Sequence, residues 1–220
     1  HRPPMRALLL ALDAWAGRGT APPASAFPNF AGGTLGSVAD YRRAFPAIPG
    51  VRLPARNLQP PRLDLGPRFA SQGIADLQPP AFGPPFITRV PLPDADGNDL
   101  GGMRLPAVAL PLGTYTGWNL RGLEVGAPDH LARWSGSFIP FARTEAEARA
   151  AGDPRPSLEA RYRSRQDYES KVAAAAEELV RQRRLLEVDV APITARAGAF
   201  YDRLLKHRPD DPSCAFELEE

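Results

Sequence analysis

The chain has 220 residues, 43% of them hydrophobic and 24% charged, with 27 basic side chains against 25 acidic ones for a formal net charge of +2. That balance supplies no strong field for nucleic acid or a membrane surface, and no run of ~18 apolar residues exists to span a bilayer. Cys214 is the single cysteine, so an internal disulfide is excluded and the compartment is left undetermined.

The chain contains 26 prolines, more than twice the usual share of roughly 5%, and they cluster between Pro22 and Pro111. Proline fixes φ and lacks the amide donor, so this half excludes long helices and central strands. The opening "HRPPMRALLL" carries no initiator Met, which leads us to expect a piece of a larger protein. "MRALLLALDAWAG" has the outline of a short signal peptide, but Asp13 interrupts it. Met5, Leu8, Leu9, Leu12 and Trp15 recur at helical spacing. We read a helix from Pro3 to Ala16, ended by Gly17 and Gly19, whose apolar surface needs a partner.

Residues 20 to 84 show little periodicity yet keep frequent apolar residues, among them Phe27, Phe30, Tyr41, Phe45 and Phe69. That composition argues for an ordered wrapping segment rather than a disordered tail. Further on, Phe86 to Leu92 and Met103 to Leu112 read as two strands joined by "DADGNDLGG" in a hairpin. The same turn offers Asp94, Asp96 and Asn98 at calcium-loop spacing. An EF-hand needs Gly sixth and Glu twelfth, and those places hold Asp99 and Leu105, so the plain turn is preferred.

The last third is helical. Thr144 with Glu147 forms a capping box closed by Gly152, Ser157 opens a short turn, and Ser164 with Asp167 starts a long helix. Its apolar face is Tyr168, Val172, Ala175, Leu179 and Leu186. After Asp189 and Pro192 a second helix follows, with Ile193, Ala197, Phe200 and Leu204 at matching spacing. The two are expected to pack antiparallel. The fold class is thus an α+β arrangement of four parts. Residues 1–19 are an N-terminal helix, 20–142 a Pro-rich wrap with short strands and a hairpin, 143–208 the helical end, and 209–220 a loose tail.

No Gly-x-Ser-x-Gly nucleophile elbow is present; Ser71 in "RFASQGI" comes nearest, with Phe in place of the first Gly. His1, His130 and His207 are scattered and give no metal-ligand spacing, and no phosphate-cradling glycine loop exists. No residue of the chain is assigned as catalytic, as a metal ligand or to a cofactor. The one candidate stretch is "LPLGTYTGWNLRG". Tyr115 and Trp118 offer flat faces with polar tips, and Asn119 and Arg121 offer hydrogen-bonding groups suited to a substrate. The competing reading is a buried turn in which Thr114, Thr116 and Asn119 satisfy the backbone and Trp118 fills the core. Ser135 and Ser137 beside Phe138 and Phe141 either line a cleft or anchor a strand-to-helix junction. The arginine-rich helix "RYRSRQDYESKVAAAAEELVRQRRLLE" interleaves its basic residues with glutamates and Asp167, the pattern of a solvated face rather than a nucleic-acid surface.

Three blocks, "HRPPMRALLLALDAWAGRGTAPPAS", "GMRLPAVALPLGTYTGWNLR" and "GSFIPFARTEAEARAAGDPRPSLEARY", resemble the C-terminal region of a family of large bacterial α/β-hydrolase-domain proteins. The resemblance covers Arg2 to about His207. It implies an esterase-like enzyme acting on a small-molecule ester, with the order nucleophile, acid, histidine along the chain. It also implies that the helix Pro3 to Ala16 is the last helix of the catalytic core. The nucleophile and acid then belong to a missing N-terminal core, the expected partner of this chain. The histidine belongs just upstream, on its own loop, so His1 is near the expected place without being equated with it. The alternative is a non-enzymatic packing or interaction module.

Overall fold

The computed structural model describes residues 2–55, 58–132 and 135–206. The expectations for His1, His207, Cys214 and the tail from 209 fall outside those residues. Among the described ones, α-helices alternate with short strands in the order α1 (Arg2–Arg18), β1 (Leu35–Gly36), α2 (Val38–Ala44), β2 (Pro61–Asp64), α3 (Phe69–Gln72) and β3 (Ala81–Pro85). There follow β4 (Val90–Pro91), α4 (Pro106–Ala109), β5 (Gly113–Thr116), β6 (Ser137–Pro140), α5 (Glu145–Ala151), α6 (Leu158–Arg161), α7 (Arg165–Arg181) and α8 (Val190–Lys206). The strands form three separate two-stranded antiparallel pairs, β1 with β4, β2 with β3 and β5 with β6. The chain is a mixture of helices and small sheets.

The helical end follows its local signals. Thr144, Ser157 and Ser164 each accept a backbone N–H at the start of α5, α6 and α7, and Gly152 closes α5 in the left-handed region at φ 71°. Helices α7 and α8 pack against each other. Tyr168, Val172 and Leu179 of α7 are buried, together with Ala176 rather than the expected Ala175. Helix α7 ends at Arg181, so Leu186 lies beyond it. Leu185, in the connection, is the residue that enters the core. Gly198, Tyr201 and Leu204 are the buried residues of α8, with Ile193, Ala197 and Phe200 packed at the margin. The main core joins this pair to the central segment through Leu112, Phe141, Leu158 and Tyr162.

Two expectations are corrected. Met103 to Leu112 is not a strand: Pro106 sits at the first position of the short helix α4, where its missing N–H costs nothing. Val90–Pro91 is a strand, but its partner is Leu35–Gly36, far back in the chain. The turn itself survives in tighter form. Leu100 N–H donates to Leu92 at 2.9 Å and Asp94 N–H to Asn98 at 2.7 Å, around Gly97 at φ 81°.

Helix α1 runs one turn-fraction further than expected, to Arg18, and Gly19 at φ 67° ends it. Its orientation is the unexpected part. Pro4, Ala7, Ala11 and Ala14 are the buried residues. Met5, Leu9, Leu12 and Trp15 remain 63%, 64%, 53% and 54% exposed, so the face richest in large side chains points away from the rest of the chain.

Candidate functional site

The stretch from Gly113 to Gly122 is built around β5. One edge of β5 pairs with β6 in register from Gly113↔Pro140 to Thr116↔Ser137. The other edge is closed by a side chain. Asn98, fully buried, donates from Nδ2 to the Gly113 carbonyl at 3.2 Å and accepts at Oδ1 from the Tyr115 N–H at 2.8 Å. Its amide thus replaces a third strand. Asn98 is held there by its own turn, because Asp94 Oδ1 accepts the N–H groups of Asp96 and Asn98, each at 3.0 Å.

Two arginines lock this turn to the helical end. Arg161 makes a two-pronged contact with the Asp96 carboxylate, one prong at 2.8 Å, and its guanidinium lies 4.1 Å from the Phe141 ring centre. Arg155 is buried. It pairs with Asp153 at 2.6 Å and donates to Thr114 Oγ1 at 2.8 Å and to the Ile139 and Pro140 carbonyls at 3.0 and 3.1 Å. Burial would raise the Asp153 carboxyl. The Arg155 guanidinium and the Arg155 N–H outweigh it and hold that carboxyl below its ordinary value. Asp94 is taken in turn by Arg104 at 2.7 Å. The calcium-like spacing of Asp94, Asp96 and Asn98 is therefore spent on arginines and backbone groups.

Each of the four candidate substrate contacts has its own surroundings. Tyr115 leans on Phe138 with ring centres 4.9 Å apart, and Phe138 continues to Phe200 at 5.2 Å. Burial pushes the Tyr115 hydroxyl up to about 12, which keeps it protonated near neutrality. Trp118 turns to a different aromatic group: its Nε1 donates to the Tyr41 hydroxyl at 2.8 Å, and its ring lies 5.9 Å from Phe45. Asn119 Oδ1 accepts the Leu120 N–H at 2.8 Å. Arg121 reaches the Val125 carbonyl at 3.3 Å. Thr114 Oγ1 donates to the Asp96 carbonyl and Thr116 Oγ1 to the Trp118 carbonyl. Ser137 donates to that same carbonyl from the first position of β6, while Ser135 donates to the carbonyl of its neighbour Gly136.

Of the residues that organise this region, Asp153, Arg155 and Arg161 carry no expectation from the sequence, and Asn98 is marked there only for its calcium-loop spacing, not for the edge of β5 that it closes. The only local signal is "GDPRP", where an arginine is fixed between two prolines two residues after an aspartate. A family model described as alpha/beta hydrolase domain matches residues 1–195. No curated protein matches the chain, and no solved structure does.

Proposed function

The chain belongs to the alpha/beta hydrolase domain family, and from that premise we propose that it is the C-terminal segment of an ester-hydrolysing enzyme whose nucleophile, acid and histidine lie in a preceding core. Membership gives a hydrolase-like function. The sequence contains no nucleophile elbow to carry that function by itself. The observation that carries the reading is helix α1. Its small-residue stripe is buried, while Leu9, Leu12 and Trp15 stand more than half exposed. A helix apolar on both sides fits between two bodies, and the second body is the catalytic core. Residues 20–142 and 143–208 then form an extension packed on that core. In this reading Tyr115, Trp118, Asn119 and Arg121 hold the extension folded rather than bind the ester.

The test compares the chain alone with the same chain joined to its core, on short p-nitrophenyl esters. Hydrolysis is expected only from the joined form. Turnover by the isolated chain that disappears on replacing one of its own serines would overturn the proposal.

A further inference from the structure

Residues 58–89 form an arm. Strands β2 and β3 pair with each other, Phe86 N–H donates to the Pro60 carbonyl at 3.0 Å, and Thr88 Oγ1 to the Leu58 carbonyl at 3.2 Å. At the far end Arg68 pairs with Asp76, and the Asp76 and Leu77 N–H groups both reach the Leu65 carbonyl. These bonds all join one part of the arm to another. A lone two-stranded ribbon is marginal in water, yet this one exposes its cross-strand pair Leu63 and Phe82 at 55% and 77%, with Leu58 and Ile87 at 79% and 76%. Such a surface marks an interaction site. The arm carries Arg62, Arg68 and Arg89 against Asp64 and Asp76. Arg62 lies over the Phe86 ring and Arg89, at the root, over Phe30, and neither pairs with a carboxylate among the described residues. The occupant must therefore offer an apolar floor beside carboxylates.

The chain itself carries such a surface. An open groove of about 880 Å³ runs between α7 and α8, floored by Ala173, Val180, Ala191 and Ala195 and edged by Glu177 and Glu187. Arg181 on the same edge is already held by Glu178. We propose that the arm of one copy seats in the α7–α8 groove of a second copy, with Leu63 and Phe82 on the alanine floor and Arg62 and Arg89 at the glutamate edge. The arm and this groove lie on the same chain, so a reciprocal exchange closes a twofold dimer. This inference does not rest on the ester-hydrolase reading, since it involves neither α1 nor any catalytic group.

The test uses two charge-reversed forms of the 220-residue chain, followed by sedimentation equilibrium. One carries Arg62→Glu with Arg89→Glu, the other Glu177→Arg with Glu187→Arg. The unaltered chain is expected to dimerise, and each variant alone to dissociate at least ~tenfold more readily through like-charge contacts. In a mixture every arm again meets a groove of opposite sign, so dimers containing one copy of each should return. That recovery also shows that both variants fold. A monomeric unaltered chain, dimers indifferent to the reversals, or a mixture that stays dissociated would each overturn the proposal.

Discussion

The aromatic turn and the buried arginine carry different weights. Trp118 is half-buried and bonded to Tyr41, so Trp118→Ala should cost about 2 kcal/mol, below the ~3–5 kcal/mol of a fully enclosed aromatic. Asn119→Ala and Arg121→Ala should stay within about 0.5 kcal/mol, as surface contacts usually do. Thermal melts of the three variants, paired with ester kinetics on the core-joined protein, check the structural role. An unchanged melt for Trp118→Ala together with a tenfold loss of kcat/KM would instead put this turn in the substrate site. Arg155 stands apart because it is only 3% exposed and has a carboxylate and two carbonyls as partners. Arg155→Met leaves Asp153 unpaired in the interior and should cost about 3–5 kcal/mol. Adding Asp153→Leu should recover part of that loss in a double-mutant cycle, because no uncompensated charge then remains.

At the scale of elements, helix α1 makes the clearest prediction. The exposed side chains Met5, Leu9, Leu12 and Trp15 should bind a hydrophobic dye in the isolated chain, and joining the core should lower the signal. A dye signal unchanged by Leu9→Ser with Leu12→Ser would mean that this face is not the surface being sensed. Helix α1 also shows where sequence reading stops. The periodicity of its apolar residues was visible, but a helix with alanines on one side and leucines on the other does not state which side meets its own chain. The alanine stripe does so here, where small side chains permit a close approach. Helices α5 and α7 were legible because Thr144, Gly152 and Ser164 mark their ends within a few residues of the helix itself, and α8 because Ile193, Ala197, Phe200 and Leu204 recur at helical spacing. Strand β4 was not legible as a partner of β1, since two residues such as Val90 and Pro91 carry no pattern that points back to Leu35. The apolar run around Pro106 fits a strand or a helix start equally well. The role of Asn98 was not legible for a related reason: its place in "DADGN" suggests a calcium-loop spacing, and nothing there says that its amide will complete the edge of β5.

For the molecule as a whole, acid is the sensitive direction. The Asp153 carboxyl titrates lower in the folded state than in the unfolded chain. Its contribution is therefore complete above the ordinary aspartate value of ~3.9 and is lost as pH falls through the lower folded value. Asp40 behaves alike: hydrogen bonds from Ser37 and the nearby Arg43 bring it down to about 2. Unfolding followed by circular dichroism should set in below about pH 4, and Asp153→Asn should flatten that acid limb while lowering stability at neutrality. If the variant keeps the full acid limb, the Asp153–Arg155 pair is not what the protons break.

The attachment of α1 has a consequence in time. Arg6 pairs with Asp189, and Arg183 and Arg184 donate to the Ala21 and Ala24 carbonyls, contacts that span 183, 162 and 160 residues of chain. By contrast α7 and α8 are joined by a short connection. Loops closed over so long a contour form after local ones have paid their entropy. The helical pair should therefore assemble early and α1 should be the last piece to settle. It should also be the first to lift away, with its amides exchanging hydrogen ahead of those in α7. The order in which the ribosome releases the chain is then the reverse of the order in which its ends find their places.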